Sequence, residues 1–176
     1  MKKTFFGILS LLLAFPLVAN SKVLKPGDKA PDFVMYLDDG KKVNLYSFLN
    51  QGKKIVLYFY PKDDTYGCTA QAINIRDNLI EFQKRNILVF GISTDDLVSH
   101  RNFKQKHKLN FPLVSDFDKS ISRAYGVLSM FGIAQRVTFV IRSDGIIEHV
   151  ITDVDVDRHT QQIIELIDSN YQRYRI

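Results

Sequence analysis

The chain has 176 residues, a formal net charge of +5, 45% hydrophobic residues and one cysteine, Cys68. That length suits a single domain with its own core. Lys and Arg are interleaved with Asp and Glu instead of forming a nucleic-acid footprint, and one thiol excludes any intramolecular disulfide.

Lys2 and Lys3 precede an apolar stretch from Phe5 to Val18, and the small residues Ala19, Asn20 and Ser21 come next. This is the layout of a secretory signal peptide. A spanning helix needs about 20 apolar residues, and this run is shorter and holds Pro16, so a permanent anchor is the weaker reading. Residues 1–21 are expected to be a signal peptide and 22–176 the mature domain, exported to a bacterial periplasm. Removal of Lys2 and Lys3 lowers the net charge from +5 to +3. An exported protein usually pairs its cysteines, so the unpaired Cys68 calls for an explanation.

Residues 21–31, with Pro26, Gly27 and Pro31, suit an extended lead-in. Phe33 to Leu37 and Val43 to Leu45 flank Asp39-Gly40, the turn of a small N-terminal hairpin. "IVLYFY" (Ile55 to Tyr60) and "ILVFGIS" (Ile87 to Ser93) are continuous apolar runs, as expected of strands covered on both faces. Between them a helix carries Ala72, Leu79 and Ile80 on one stripe, giving a right-handed parallel crossover. A second helix is expected from Asp96 to His107, with "FPLVSD" returning to the sheet edge and a short helical turn from Ser120 to Tyr125. Val137 to Ile141 and Ile146 to Ile151 flank Ser143-Asp144-Gly145, a second hairpin signal, and Asp157 to Tyr171 closes the chain as an amphipathic helix through Ile163, Ile164 and Ile167. This order of elements is that of an α/β, thioredoxin-like fold, a central mixed β-sheet flanked by helices.

Cys68 comes shortly after the first long strand. Pro61 ends that strand, Asp63, Asp64, Thr65 and Gly67 build a polar loop, and Cys68 enters the first turn of the next helix. Unpaired cysteines are often inert core residues. At this position, however, unpaired amide hydrogens and the helix dipole favour a thiolate over a thiol. Ionisation alone raises the rate of a thiol only a few-fold, because nucleophilicity falls with basicity. A fast thiol enzyme therefore needs donors aimed at the charge that develops in the transition state. Thr65 either caps the helix or bridges the thiolate and a substrate oxygen. Arg136 reaches the sulfur if its strand lies beside "IVLYFY", and is otherwise a surface arginine.

With Pro61, Thr65 and Cys68 in place, the stretch "YFYPKDDTYGCTAQA" resembles the active site of the peroxiredoxin (AhpC/TSA) family, which reads Pro, three residues, Thr, two residues, Cys. It is similar in particular to the bacterioferritin-comigratory, or peroxiredoxin Q, branch, together with "IRDN" (Ile75 to Asn78), "GISTDD" (Gly91 to Asp96), "FPLVSD" (Phe111 to Asp116) and "RVTFVIRSDGIIEHV" (Arg136 to Val150). The resemblance implies a thiol peroxidase in which Cys68 is the peroxidatic nucleophile and becomes a sulfenic acid. Thr65 and Arg136 would polarise the peroxide, Pro61 would shield the pocket, and the amides of Gly67 and Cys68 would donate to the substrate. Gln71, where the family has Glu or Gln, either holds the loop or is an exposed helix residue.

Two departures stand out. Ile73 occupies the position of a resolving cysteine, so the resemblance implies a one-cysteine mechanism with an external thiol or a thioredoxin- or glutaredoxin-like reductant. Tyr66 replaces the proline usual before the glycine. The apolar segment Tyr125 to Arg136, with Leu128, Met130, Phe131 and Ile133, either borders the pocket and favours organic hydroperoxides, packs in a weak homodimer, or joins the core of a monomer. His100, His107, His149 and His159 lack metal-binding spacing, and there is no Gly-rich phosphate loop, so no metal or other cofactor is assigned. The competing reading is a partner-binding or holdase protein that kept the fold and lost turnover. A disulfide oxidoreductase fits poorly, since Thr65 stands where C-x-x-C would have its first cysteine.

Overall fold

The computed structural model describes residues 22–173. The expected signal peptide, residues 1–21, lies outside them. The elements run β1 (Val34–Tyr36), β2 (Lys42–Asn44), α1 (Leu45–Leu49), β3 (Lys54–Phe59), α2 (Tyr66–Asp77), α3 (Leu79–Gln83), β4 (Ile87–Ser93), α4 (Leu97–His107), β5 (Leu113–Ser115), α5 (Ser120–Ala124), β6 (Val137–Ile141), β7 (Ile147–Ile151) and α6 (His159–Arg173). β1 and β2 form the expected hairpin, and the other five strands form one mixed sheet in the order β5-β4-β3-β6-β7. This is a thioredoxin-like arrangement.

β3 is the hub of the sheet. It runs parallel to β4 and antiparallel to β6, and successive side chains point to opposite faces. Ile55, Leu57 and Phe59 face a layer with Met35, Leu45, Tyr125 and Phe139. Val56, Tyr58 and Tyr60 face the layer made by Ala72, Ile75, Phe82, Phe103, Ile163 and Ile167 of α2, α3, α4 and α6. Burial on both faces explains why β3 reads as an unbroken apolar run. Each Ile, Leu or Phe taken fully out of water there contributes about 1.5–3 kcal/mol. Gly91 of β4 lies directly opposite Tyr58 in the register. A Cβ at that glycine would come within 2.6 Å of the Tyr58 hydroxyl and 2.9 Å of Leu113 Cδ2, so its absence makes room for the phenol.

One expectation needs correcting. The segment between the two long strands is two helices, because Asn78, at φ −114° and ψ 16°, interrupts the helical path. The break rotates the phase of α3 relative to α2, so that Ile80 is exposed and Phe82 takes its place in the core. The buried stripe is therefore Cys68, Gln71, Ala72 and Ile75 in α2, then Phe82 in α3.

Candidate active site

The site forms where β3 ends and α2 begins. α4 grips the connecting loop on two sides. The Asp63 carboxylate accepts hydrogen bonds from Tyr60 Oη (2.7 Å) and Ser99 Oγ (2.8 Å) and pairs with His100 Nδ1 at 2.8 Å. His100 Nε2 lies 3.1 Å from the Val114 carbonyl. Both ring nitrogens thus lie within hydrogen-bond distance of oxygen atoms. The Asp63 amide donates to Asp95 Oδ2 (2.9 Å). Asp64 is next, in a left-handed conformation with φ 57°, which an Asp tolerates better than most residues. Lys106, first, and His107 bond its carboxylate and hold its carboxyl below the usual carboxylate range.

Thr65 is the N-cap residue of α2, extended at φ −85° and ψ 153°. Its carbonyl accepts the first intrahelical bond, from the Thr69 amide at 2.8 Å, so the amides of Tyr66, Gly67 and Cys68 are the first-turn donors without an intrahelical acceptor. Its hydroxyl makes no capping hydrogen bond to α2. It donates to the Lys62 carbonyl (3.1 Å) and sits exposed. Pro61 is half-buried at the start of the loop.

Cys68, in the first turn, is only 2% exposed and packs with Val56, Tyr58, Tyr60 and Ala72. Its surroundings are more core-like than the polar sequence of the loop implies, but it is not sealed in hydrocarbon. Arg136 Nη2 donates to Cys68 Sγ at 3.2 Å. Arg136 arrives there because it immediately precedes β6, whose Val137 pairs with Phe59 at the end of β3. The side chain passes close over Gly67, where a Cβ would stand 3.4 Å from Nη2. A guanidinium donor and the free first-turn amides of a helix thus meet at one sulfur.

Gln71 is fully buried, which settles the alternative of an exposed helix residue against it. Its Oε1 accepts from Arg136 Nη1, and its Nε2 lies 3.1 Å from His159 Nδ1. His159 Nε2 in turn lies 2.9 Å from Thr138 Oγ1. Arg136, Thr138 and Val140 alternate along one face of β6, the face that meets α2 and α6. Burial, and next the positive charge of Arg136, hold the His159 ring far below the usual imidazole range, at about 3. Sequence reasoning passed over His159 because it has no metal-ligand spacing. No local pattern marks a contact between residues 71 and 159.

The structure thus brings together Cys68, Arg136, Gln71 and the Gly67 amide, and leaves the Thr65 hydroxyl turned to the loop backbone. Of the apolar segment, Tyr125, Val127 and Ala134 join the core while Met130 and Phe131 are exposed. A separate groove of about 460 Å³ beside β5, lined by Val34, Tyr36, Leu97, Val98, Phe117 and Ile121 among others, holds none of the site residues and no nucleophilic thiol.

The AhpC/TSA family pattern matches residues 26–150. Peroxiredoxin Bcp of Escherichia coli is 41% identical over 148 residues, 80% of this chain and 94% of that protein. The chloroplastic peroxiredoxin Q of Oryza sativa subsp. japonica is 36% identical over 155 residues, 86% of this chain and 70% of that protein. Among solved structures, the bacterioferritin comigratory protein of Xanthomonas campestris, described for its alkyl peroxide reduction activity, superposes with a TM-score of 0.74 at 30% identity, covering 84% of this chain and 97% of its own. Fold, cysteine and sequence agree, and the chain belongs to the AhpC/TSA family, in the branch of the Bcp and Q peroxiredoxins.

Proposed function

We propose that the protein is an exported one-cysteine thiol peroxidase acting on hydrogen peroxide and organic hydroperoxides. The observation that carries this reading is the Arg136 guanidinium 3.2 Å from Cys68 Sγ, beside the first-turn amides of α2. The Cys68 thiolate attacks one peroxide oxygen, the O–O bond breaks, and the second oxygen leaves with the electron pair and takes a proton, as water or an alcohol. Cys68 is left as a sulfenic acid, oxidised by two electrons. The guanidinium and the amides of Gly67 and Cys68 supply donors where negative charge develops on the departing oxygen.

Cys68 is the sole cysteine of the chain, so the thiol that reduces the sulfenic acid comes from outside. A first external thiol condenses with it, releasing water and leaving a mixed disulfide, and a second thiol attacks that bond and restores Cys68. We assign this role to a small thiol or a thioredoxin- or glutaredoxin-like protein. Two features support a place for organic hydroperoxides and weak self-association: the exposed apolar Met130 and Phe131, and Tyr66, 93% exposed at the start of α2. The sequence of residues 1–21 supports export to the periplasm.

Peroxide consumption by the purified protein with dithiothreitol, measured for hydrogen peroxide and for cumene hydroperoxide, tests the reading. Wild type is expected to turn over both, and Cys68→Ser neither. Equal consumption by the two proteins would rule the assignment out.

A further inference from the structure

We propose that His159 is a positioning residue for this reaction: as the Nε2–H tautomer it presents Nδ1 to the Gln71 amide, which in turn fixes the Arg136 guanidinium against Cys68. The inference rests on the peroxidase reading and deepens it. Its logic is one of donors and acceptors. A guanidinium has only donors, so the Gln71 atom facing Arg136 Nη1 is the carbonyl oxygen. The amide nitrogen then faces His159 and, being a donor, requires a lone pair on Nδ1. The single ring proton is left for Nε2, where Thr138 Oγ1 accepts it at 2.9 Å.

Every link is therefore determined. Flipping the Gln71 amide would set its NH₂ against the guanidinium and its carbonyl against the Nδ1 lone pair, two repulsions in place of two bonds. Gln71, Thr138 and His159 are each fully buried, so no water compensates for the loss. A proton on Nδ1 would act in the same direction, placing a donor opposite the amide nitrogen. Burial keeps the ring neutral and excludes that state near neutral pH.

The ring is also held in place. Thr160, next in the chain, donates its amide to Asn74 Oδ1 (2.8 Å), and Asn74 Nδ2 donates to the Asp157 carbonyl (2.7 Å). Asn74 lies one turn beyond Gln71 in α2, on the same side of the helix. The first turn of α6 is thus fastened to α2 at the level of the active site. A bland alternative exists: the ring merely fills space edge-on against Tyr58, 6.0 Å between centroids.

Two variants of the purified protein separate these roles. In His159→Asn the side-chain oxygen can take the place of Nδ1 and accept from Gln71. In His159→Gln the side chain reaches toward Thr138 and offers no acceptor at that place. Stopped-flow oxidation of Cys68 by hydrogen peroxide is expected to slow ~10-fold or more in His159→Gln, with most of the wild-type rate recovered in His159→Asn. Circular dichroism melts verify that both variants fold. Equal rates for the two variants, or no slowing in either, would overturn the proposal. The ¹⁵N spectrum of the wild-type ring gives a reading that needs no variant: a pyridine-type Nδ1 and a pyrrole-type Nε2 are expected, and the reverse would overturn the proposal as well. A wild-type protein inert to peroxide would instead sink the peroxidase reading, whatever the ring spectrum shows.

Discussion

Two supports surround Cys68, and they differ in kind. On the α4 side the loop is tied through carboxylates: Asp63 to Tyr60, Ser99 and His100 in the interior, Asp64 to Lys106 and His107 at the surface. On the α6 side the guanidinium is tied by neutral groups, the Gln71 amide and the His159 ring backed by Thr138. The difference teaches how the labour is divided. The carboxylate contacts fix where the backbone runs and so where α2 begins. The neutral ones fix the direction of a single cation without supplying a counter-charge that would draw it away from Cys68 Sγ. A carboxylate at position 71 would pair with Arg136 and weaken its pull on Cys68 Sγ.

The sharpest way to break this division is at Arg136. Arg136→Gln keeps a donor but removes the charge, and the rate of Cys68 oxidation by hydrogen peroxide in stopped-flow should fall by about 10²–10³, the usual loss of a transition-state donor. On the α4 side, His100→Ala removes one of three side-chain partners of the buried Asp63 carboxylate and leaves Tyr60 and Ser99. Urea denaturation should then show a loss of about 1–3 kcal/mol, with a smaller loss of activity than at Arg136.

The pH dependence of stability distinguishes the neutral support. Above the ordinary histidine value of 6.5 the His159 ring is neutral in both folded and unfolded chains. Below it the unfolded chain binds a proton that the buried ring refuses until about pH 3. Its contribution to stability is therefore lost as the pH falls through that window, by about 3 kcal/mol between pH 7 and 4. Urea titrations across this range should show that part of the slope in wild type and its absence in His159→Asn. The smallest effect belongs to Asp64→Asn at the surface: a slight drop in melting temperature that disappears in about 1 M salt.

Much of this was legible in the sequence, for identifiable reasons. The runs 55–60 and 87–93 are apolar throughout because both faces of β3 and β4 are covered, and Asp144-Gly145 marks its turn through a glycine at φ 83°. Cys68 and Arg136 were placed by a motif and by the pairing of two strands, and the 3.2 Å contact is a consequence of that pairing. The break at Asn78 was not legible, since asparagine is tolerated in a helix and the interruption depends on how α3 meets β4. Nor were the partners of Asp63, Gln71 and His159. These are polar contacts between elements distant in sequence, Asp63 to His100 and Gln71 to His159, and periodicity carries no information about them. Thr65 shows the converse: its place before the helix suggests a side-chain cap, and its hydroxyl donates instead to the Lys62 carbonyl.

The most direct test of the account is the fate of Cys68 itself. One equivalent of hydrogen peroxide should convert it to a sulfenic acid that a dimedone-type trap captures, seen by mass spectrometry as a single adduct at residue 68. In Arg136→Gln the adduct should appear far more slowly. Peroxide left unconsumed over an unmodified Cys68, or adduct formation at the same rate without the guanidinium, would contradict it.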